Sequence, residues 1–221
     1  MARLISVFVS AALLLLTSPV FLVTALLIWL EDRGPVFYTQ ARAGLHNRPF
    51  QLFKFRSMRV NNRPVLRDTT QASEIGKDHP LVTPIGRLIR RYKIDELPQL
   101  INVLLGDMAL IGPRPTVPEQ TAEYSAFEMK RLDLPPGMTG WTQINGGIEL
   151  TWPERIMLDV WYVDHRKLRL DLLILWQTAA VIIAGEKPNA EAVKKAVAYA
   201  RDKYGQVPPD SGSAVLVSHD A

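Results

Sequence analysis

Residues Lys93 to Pro115 read KIDELPQLINVLLGDMALIGPRP. Leu97, Leu100, Ile101, Leu104 and Leu105 recur at three- and four-residue intervals, which predicts a short helix with one buried face. Asp95 suits the N-cap, Pro98 falls in the first turn where its missing N–H does no harm, and Gly106 suits the stop. The acidic pair Asp95–Glu96 thus opens a helix directly after the cations Arg87, Arg90, Arg91 and Lys93. Such a pair ordinarily caps the helix and complements its dipole. The functional alternative is that carboxylates and cations converge where a helix N-terminus already favours phosphate. The two roles compete, because a carboxylate used up as a cap is a poor nucleophile.

Toward the N-terminus, Ile85–Ile94 predicts a short basic amphipathic helix, with Leu88, Ile89 and Tyr92 on one side and Arg87, Arg90 and Arg91 near the other. Asn61–Pro80 is polar and without period, a loop. Phe50–Met58, FQLFKFRSM, alternates and predicts a strand with Lys54 and Arg56 on one face. Between Arg33 and Arg67 stand Arg42, Arg48, Lys54, Arg56, Arg59 and Arg63, with no Asp or Glu. The positive-inside rule places that side in the cytoplasm, and attraction to anionic headgroups explains the same charge. Leu4–Leu30 carries no charged side chain. As a straight helix it would run ~40 Å against ~30 Å of hydrocarbon. Pro19 should kink it, and Ser18 can bond back to a freed carbonyl. A kinked span and a re-entrant hairpin both fit. The apolar run is too long for a cleaved signal peptide.

Toward the C-terminus, Pro118–Arg131 predicts another short helix. Met138–Gly147, after the turn Pro135–Pro136–Gly137, reads as loop and short strand, and Pro153–Val163 as helix. Leu168–Ala184 is apolar except for Arg169, Asp171 and Gln177, and is short for a span. It reads as a helix lying in the membrane interface or against the first segment. Ala190–Tyr204 is a charged, alanine-rich helix, and a disordered tail follows from Gly205. The expected fold is α+β and mostly helical. It comprises a membrane helix broken near Ser18–Pro19 over residues 1–32, a compact domain with a small β element and interfacial helices over 33–185, and a C-terminal helix with a tail over 186–221.

Composition narrows the chemistry. The 221 residues are 48% hydrophobic and 22% charged, enough apolar material for a core, and the net charge of +4 favours a polyanionic partner. With no cysteine, disulfides, zinc-thiolate sites, iron–sulfur clusters and thiol nucleophiles are excluded. His46, His79, His165 and His219 are never at metal-ligand spacing, so a metal site would be built from oxygens and would suit Mg2+. Arg90 is the phosphate clamp that its spacing from Asp95 suggests. Trp141, Trp152, Trp161 and Trp176 read as core or interface anchors, and Asp107 and Asp159 as structural.

Several of these motifs occur together and in order: Ser18–Pro19, FKFRSM at Phe53–Met58, KIDELPQLINVLLGDMALIGPRP, PGMTGWTQING at Pro136–Gly146, LDVWYV at Leu158–Val163 and LDLLIL at Leu170–Leu175. Over about residues 1 to 185 the chain closely resembles the bacterial sugar transferase family, the monotopic polyprenol-phosphate phosphoglycosyl transferases. The resemblance implies a cytoplasm-facing catalytic domain on a re-entrant helix in the bacterial inner membrane. It implies a UDP-sugar donor, undecaprenyl phosphate as acceptor, UMP as a product and a requirement for Mg2+, as a first membrane step of glycoconjugate or exopolysaccharide assembly. Asp95 would form a covalent phospho-sugar intermediate, assisted by Glu96, and both carboxylates are the expected metal ligands. Lys54, Arg56 and Arg90 would support the phosphates. Arg114, fixed between Pro113 and Pro115, would recognise the nucleotide. Gln143 would read base or sugar, or, like Asn145, pin its loop. Many relatives carry an Arg where this chain has Gly147, so any phosphate contact by that Arg is missing here.

The chemistry is coherent. An aspartate carboxyl in water ionises at a pKa of ~3.9, so at neutral pH it is already charged and needs no general base. A phosphate monoester, with its second pKa at about 6, is largely deprotonated as well. Glu96 is then better suited to metal binding or orientation than to proton abstraction. Two competing readings are a non-catalytic, membrane-anchored basic protein binding anionic lipid or nucleic acid, and a transferase passing a phospho-sugar from lipid to protein. The first leaves the carboxylate pair and the motif order unexplained. Expected partners are therefore donor, acceptor and membrane lipid, with no nucleic acid; a homodimer is compatible with the sequence and not required by it.

Overall fold

The computed structural model describes residues 2–59 and 79–206, so most of the loop expected over Asn61–Pro80 and the tail beyond Gln206 lie outside the described residues. The chain forms two compact units, one of Met1–Leu110 with Thr116–Ala122, the other of Ile111–Pro115 with Glu123–Ala221. These boundaries differ from the sequence divisions at residues 32 and 185.

The first unit opens with α1 (Ala2–Asp32), a single helix with Pro19 inside it. Proline at 19 has no N–H for the Leu15 carbonyl, and the Ser18 hydroxyl donates to that oxygen at 2.8 Å. Thr17 does the same for Leu13 at 2.7 Å. Ser6–Asp32 is long and apolar enough to cross a membrane. Phe8, Leu15, Leu16 and Leu22 are exposed, whereas Ser10, Thr24 and Ile28 are buried on one stripe. Phe21, Ala25 and Ile28 pack with Phe55 and Ile89, and the Phe21 and Phe55 ring centroids are 4.6 Å apart. At the other end of α1, the Arg3 guanidinium lies 2.5 Å from where a Cβ at Gly106 would fall.

A hairpin follows, β1 (Phe37–Ala43) antiparallel to β2 (Pro49–Phe55), with Phe37 opposite Phe55 and Ala43 opposite Pro49. Nothing in the sequence announced β1, because most of its residues are exposed on both faces and no apolar alternation marks it. The expected strand to Met58 ends at Phe55, where the chain turns toward α2 (Pro84–Arg91) and the Ser57 carbonyl accepts from Thr83 N–H at 3.1 Å. Thr83 caps α2 by accepting from Gly86 N–H at 2.8 Å.

Next, Lys93 enters a 3-10 turn, Ile94–Glu96, with φ of 57°, and α3 (Gln99–Leu105) begins only after Pro98. The helix expected to start with Asp95 as its N-cap is thus shorter. Leu97 N–H takes the Ile94 carbonyl at 3.1 Å, and Pro98 has no N–H with which to convert that i+3 bond into an α-helical one. Gly106 ends α3 with φ of 91°, as expected. Strand β3 (Ala109–Ile111) follows. The returning segment carries α4 (Pro118–Thr121) and holds β1 through Ala43 N–H to the Thr116 carbonyl at 2.8 Å.

In the second unit the helix expected to run to Arg131 restarts as α5 (Ala126–Met129), followed by a 3-10 turn Lys130–Asp133. Ser125 and Glu128 form a capping box that forces the new start. After β4 (Gly137–Thr139) come α6 (Trp141–Ile144), α7 (Trp152–His165), α8 (Leu168–Ala184) and α9 (Ala190–Tyr204). Leu158, Val160 and Trp161 of α7 share a core with Val193, Ala196, Val197 and Ala200 of α9. The C-terminal helix is therefore part of this unit's core. On α8 only Ile174 is buried, while Trp176 is 80% and Ile183 86% exposed, which suits an apolar surface facing lipid.

Deep in the second unit Arg131 pairs with Asp159; they are 2% and 1% exposed. Arg131 also donates to Tyr124 Oη at 2.9 Å and to the Arg114 carbonyl at 3.0 Å, and Thr142 Oγ1 donates to Asp159 at 2.5 Å. Removing one partner leaves the other's charge buried and unpaired. Arg131→Met should therefore lower the melting temperature of the purified chain by about 10 °C. An unchanged transition would show that the pair does not carry the unit.

Candidate active site

The site in the first unit is assembled by side chains that stand in for backbone. The free edge of β2 is bonded by Asn102 of α3: Phe53 N–H donates to Asn102 Oδ1 at 3.0 Å and Asn102 Nδ2 donates to the Gln51 carbonyl at 2.7 Å. Asn102 Nδ2 also reaches Asp107 Oδ2 at 3.3 Å, giving Asp107 a structural role. This wholly buried amide sets the register of α3, and of the turn before it, against the strand that carries Lys54. Lys54 Nζ then lies 3.1 Å from Glu96 Oε1.

A second anchor is Ser57 of the FKFRSM stretch. Its hydroxyl accepts from Arg90 Nε at 2.8 Å, and a Cβ on Gly86 would fall 2.0 Å from its carbonyl oxygen, so α2 can approach only with glycine there. Arg90 is thereby aimed from α2 toward the Ile94–Glu96 turn. Asp95 is 8% exposed. Burial pushes its carboxyl above the ordinary aspartate value; Lys54 opposes this, Glu96 adds to it, and Arg90 and Lys93 oppose it. Burial likewise pushes Arg90 down, with Asp95 opposing. Lys54, Arg90, Asp95 and Glu96 thus form one electrostatic group, and Asp95 is not consumed as a helix cap.

Arg56 has a different environment. Both of its terminal nitrogens engage the Asp32 carboxylate, one at 2.8 Å, and a Cβ on Gly34 would meet its Nη1 at 2.6 Å. It ties the end of α1 to the hairpin. Arg114 and Gln143 belong to the second unit. The Pro113 carbonyl accepts from Gly137 N–H at 2.9 Å and the Arg114 carbonyl from Arg131, so the Pro113–Arg114–Pro115 turn is rigid, as expected. Gln143 is 6% exposed, and neither its Oε1 nor its Nε2 has a hydrogen-bond partner among the described residues. Its Oε1 lies 2.8 Å from where a Cβ on Gly140 would fall, beside the Gly112 carbonyl. A buried amide left unmet costs ~1–3 kcal/mol per group, which a polar ligand would recover.

Asn102, Ser57 and Arg131 escaped the sequence reading. Asn102 had a signal, a polar residue among the apolar positions of Leu97–Leu105, and Ser57 lies inside the FKFRSM motif; Arg131 had none. For a divalent cation, the adjacent carboxylates Asp95 and Glu96 are the ligands at hand. Among the described residues no group of three or more His, Cys, Asp or Glu stands at metal-binding distance. A pair nevertheless fits Mg2+, which keeps several waters and takes one or two carboxylates together with substrate phosphates.

Because burial raises the Asp95 pKa above its unfolded value, the folded chain keeps that proton within the pH interval between the two, and the burial costs stability as pH rises through it. Asp95→Asn should therefore melt at a higher temperature than wild type at neutral pH, and the gap should close as pH falls below the ordinary carboxylate range. Equal melting at both pH values would contradict the buried, disfavoured charge.

The bacterial sugar transferase family matches this chain over residues 1–185. The uncharacterized sugar transferase EpsL of Bacillus subtilis is 41% identical over 184 residues, covering 83% of this chain and 88% of EpsL. The undecaprenyl-phosphate glucose phosphotransferase of Komagataeibacter xylinus is 43% identical over 180 residues, 76% of this chain and 33% of that protein. The undecaprenyl-phosphate galactose phosphotransferase of Salmonella typhimurium is 36% identical over 194 residues, 82% of this chain and 40% of that protein. The chain thus spans most of EpsL but well under half of the two phosphotransferases. A family match over residues 1–185, together with relatives above 30% identity, places this chain in the bacterial sugar transferase family.

Proposed function

We propose that the protein transfers a sugar-1-phosphate from a UDP-sugar to undecaprenyl phosphate, with Asp95 as nucleophile. The observation that carries this reading is the buried Asp95 carboxylate, freed from capping by the Ile94–Glu96 turn and flanked by Lys54, Arg90 and Glu96. The relatives named for undecaprenyl-phosphate glucose and galactose transfer support the substrate class.

In the first step a carboxylate oxygen of Asp95 attacks the phosphorus that bears the sugar. The bond from that phosphorus to the bridging oxygen breaks, and UMP leaves with the electron pair. In the second step an oxygen of undecaprenyl phosphate attacks the same phosphorus, expels the carboxylate and yields the undecaprenyl diphosphate-sugar. Neither nucleophile needs a base at neutral pH. Lys54 and Arg90 offset the diphosphate charge, and the water-poor surroundings of Asp95 strengthen that attraction. Glu96, held by Lys54, orients the pair. Mg2+ bound by Asp95 and Glu96 would supply further charge neutralisation on the diphosphate. Arg114 and Gln143 are assigned to the nucleotide end, and Arg56 supports the fold around the site.

Screening UDP-sugars with undecaprenyl phosphate should yield UMP and identify the sugar. Asp95→Asn should abolish UMP release and the phospho-sugar adduct that intact-protein mass spectrometry would detect on wild type without acceptor. EDTA should stop turnover and magnesium restore it. Product formation without an adduct on Asp95 would overturn the covalent route, and salt-sensitive polyanion binding without UMP release would favour a non-catalytic basic protein.

For the membrane segment we infer a re-entrant helix with both ends cytoplasmic. Ser18 bonding to the carbonyl that Pro19 orphans allows a bend in lipid, and the ends of α1, at Arg3 and at Ile28, both rest on the first unit. The run of cations from Arg33 to Arg59, with no acidic residue inside it, suits the same side. A reporter fused at Met1 should be cytoplasmic in bacteria; a periplasmic reporter would mean a true span.

A further inference from the structure

The family match ends at residue 185, yet the residues just beyond it are bonded into the loop after α6. Glu186 Oε2 accepts from Ile148 N–H at 2.8 Å. Asn189 N–H donates to the Asn145 carbonyl at 3.0 Å, and Asn189 Nδ2 donates to Asn145 Oδ1 at 2.8 Å. Asn145 in turn donates from Nδ2 to the Trp141 carbonyl at 2.8 Å, at the start of the short helix that carries Gln143. One polar chain thus runs from the C-terminal segment to α6.

The loop is shaped to receive this segment. Gly147 has φ of 51°, and a Cβ there would fall 2.1 Å from Glu186 Oε2; a Cβ on Gly146 would fall 3.0 Å from Pro188 Cα. A side chain at 147 would therefore displace the Glu186 carboxylate from its present place. The segment itself is anchored, because α9 buries Val193, Ala196, Val197 and Ala200 in the core shared with α7. Arg155 of α7 holds the far side of the loop through the Ile148 carbonyl at 2.8 Å and the Leu150 carbonyl at 2.9 Å.

We propose that Glu186 and Asn189 are positioning residues of the transferase, a C-terminal strap that fixes the Asn145–Ile148 turn and so presents the Gln143 amide to the uridine nucleotide. This rests on the assignment of Gln143 to the donor. Along this chain of contacts the Gln143 amide is the part that ends without a partner among the described residues, so it is where the strap's rigidity reaches a ligand. Losing a strap bond frees the turn and weakens nucleotide binding, while Asp95 and its cations are untouched.

The test uses the full chain in lipid nanodiscs, with UMP titrated by calorimetry and steady-state turnover of whichever UDP-sugar wild type accepts. Glu186→Ala removes the acceptor for Ile148. Asn189→Ser removes the donor to Asn145 yet retains a hydroxyl to cap α9, where Asn189 now accepts from Ala192 N–H at 3.2 Å. Each should weaken UMP binding and raise KM by about three- to tenfold, as loss of one net hydrogen bond predicts, with kcat within about twofold. Glu186→Gln, which keeps an acceptor oxygen, should recover most of the loss. A lowered Tm with unchanged UMP affinity and KM in Glu186→Ala or Asn189→Ser, or a Glu186→Gln that binds UMP as poorly as Glu186→Ala, would reduce the strap to a structural role and overturn the proposal. Absence of UMP binding and turnover in wild type would instead overturn the transferase reading itself.

Discussion

Pro98 has no N–H to give to the carbonyl of Ile94, and the placement of Asp95 depends on that missing donor. With the bond unavailable, Leu97 closes a 3-10 turn over Ile94–Glu96 and the helix proper waits until Gln99. Asp95 is therefore carried on a tight turn, buried and not capping a helix, with Lys54 and Arg90 acting on its charge. Capping and the proposed nucleophilic attack, which would compete for one carboxylate, are separated by a single imino acid.

Polar side chains that replace backbone partners recur through the chain. Asn102 acts as the neighbour that the edge of β2 lacks, and so carries the register of the hairpin into the turn bearing Asp95 and Glu96. Ser18 takes the carbonyl that Pro19 leaves open. Each is buried or faces an apolar surface, where an unmet polar group is costly, so each bond is held firmly. In the second unit Arg131 does the same for the turn that presents Arg114, with Asp159 compensating its charge.

Among the described residues, most of the exposed large apolar side chains lie on α1 and α8. In water, leucine and tryptophan arrays of this kind promote association; at a bilayer they are solvated by lipid. The proposed transfer from a nucleotide donor to a polyprenyl acceptor needs charged groups near such a surface, and the first unit carries both α1 and the Lys54, Arg90, Asp95 and Glu96 group.

How much was legible in the amino-acid order follows from the range of the forces. Local rules suffice for the apolar run of α1, for the limits of α8 and α9, for the stop at Gly106 and for the acidic pair among cations, because period, capping and charge act over a few neighbouring residues. The ordered motifs pointed to the family for the same reason. Strand β1, with both faces mostly exposed, left no periodic trace, and the break at Ser125 was hidden in a run of helix-compatible residues. Only tertiary structure could assign Arg56 to Asp32, Lys54 to Glu96 and Asn102 to the edge of β2, or bring Glu186 to Gly147. These partners are far apart along the chain. What pairs them is the cost of burying a charge or an amide unmet, and that cost exists only once the fold has excluded water.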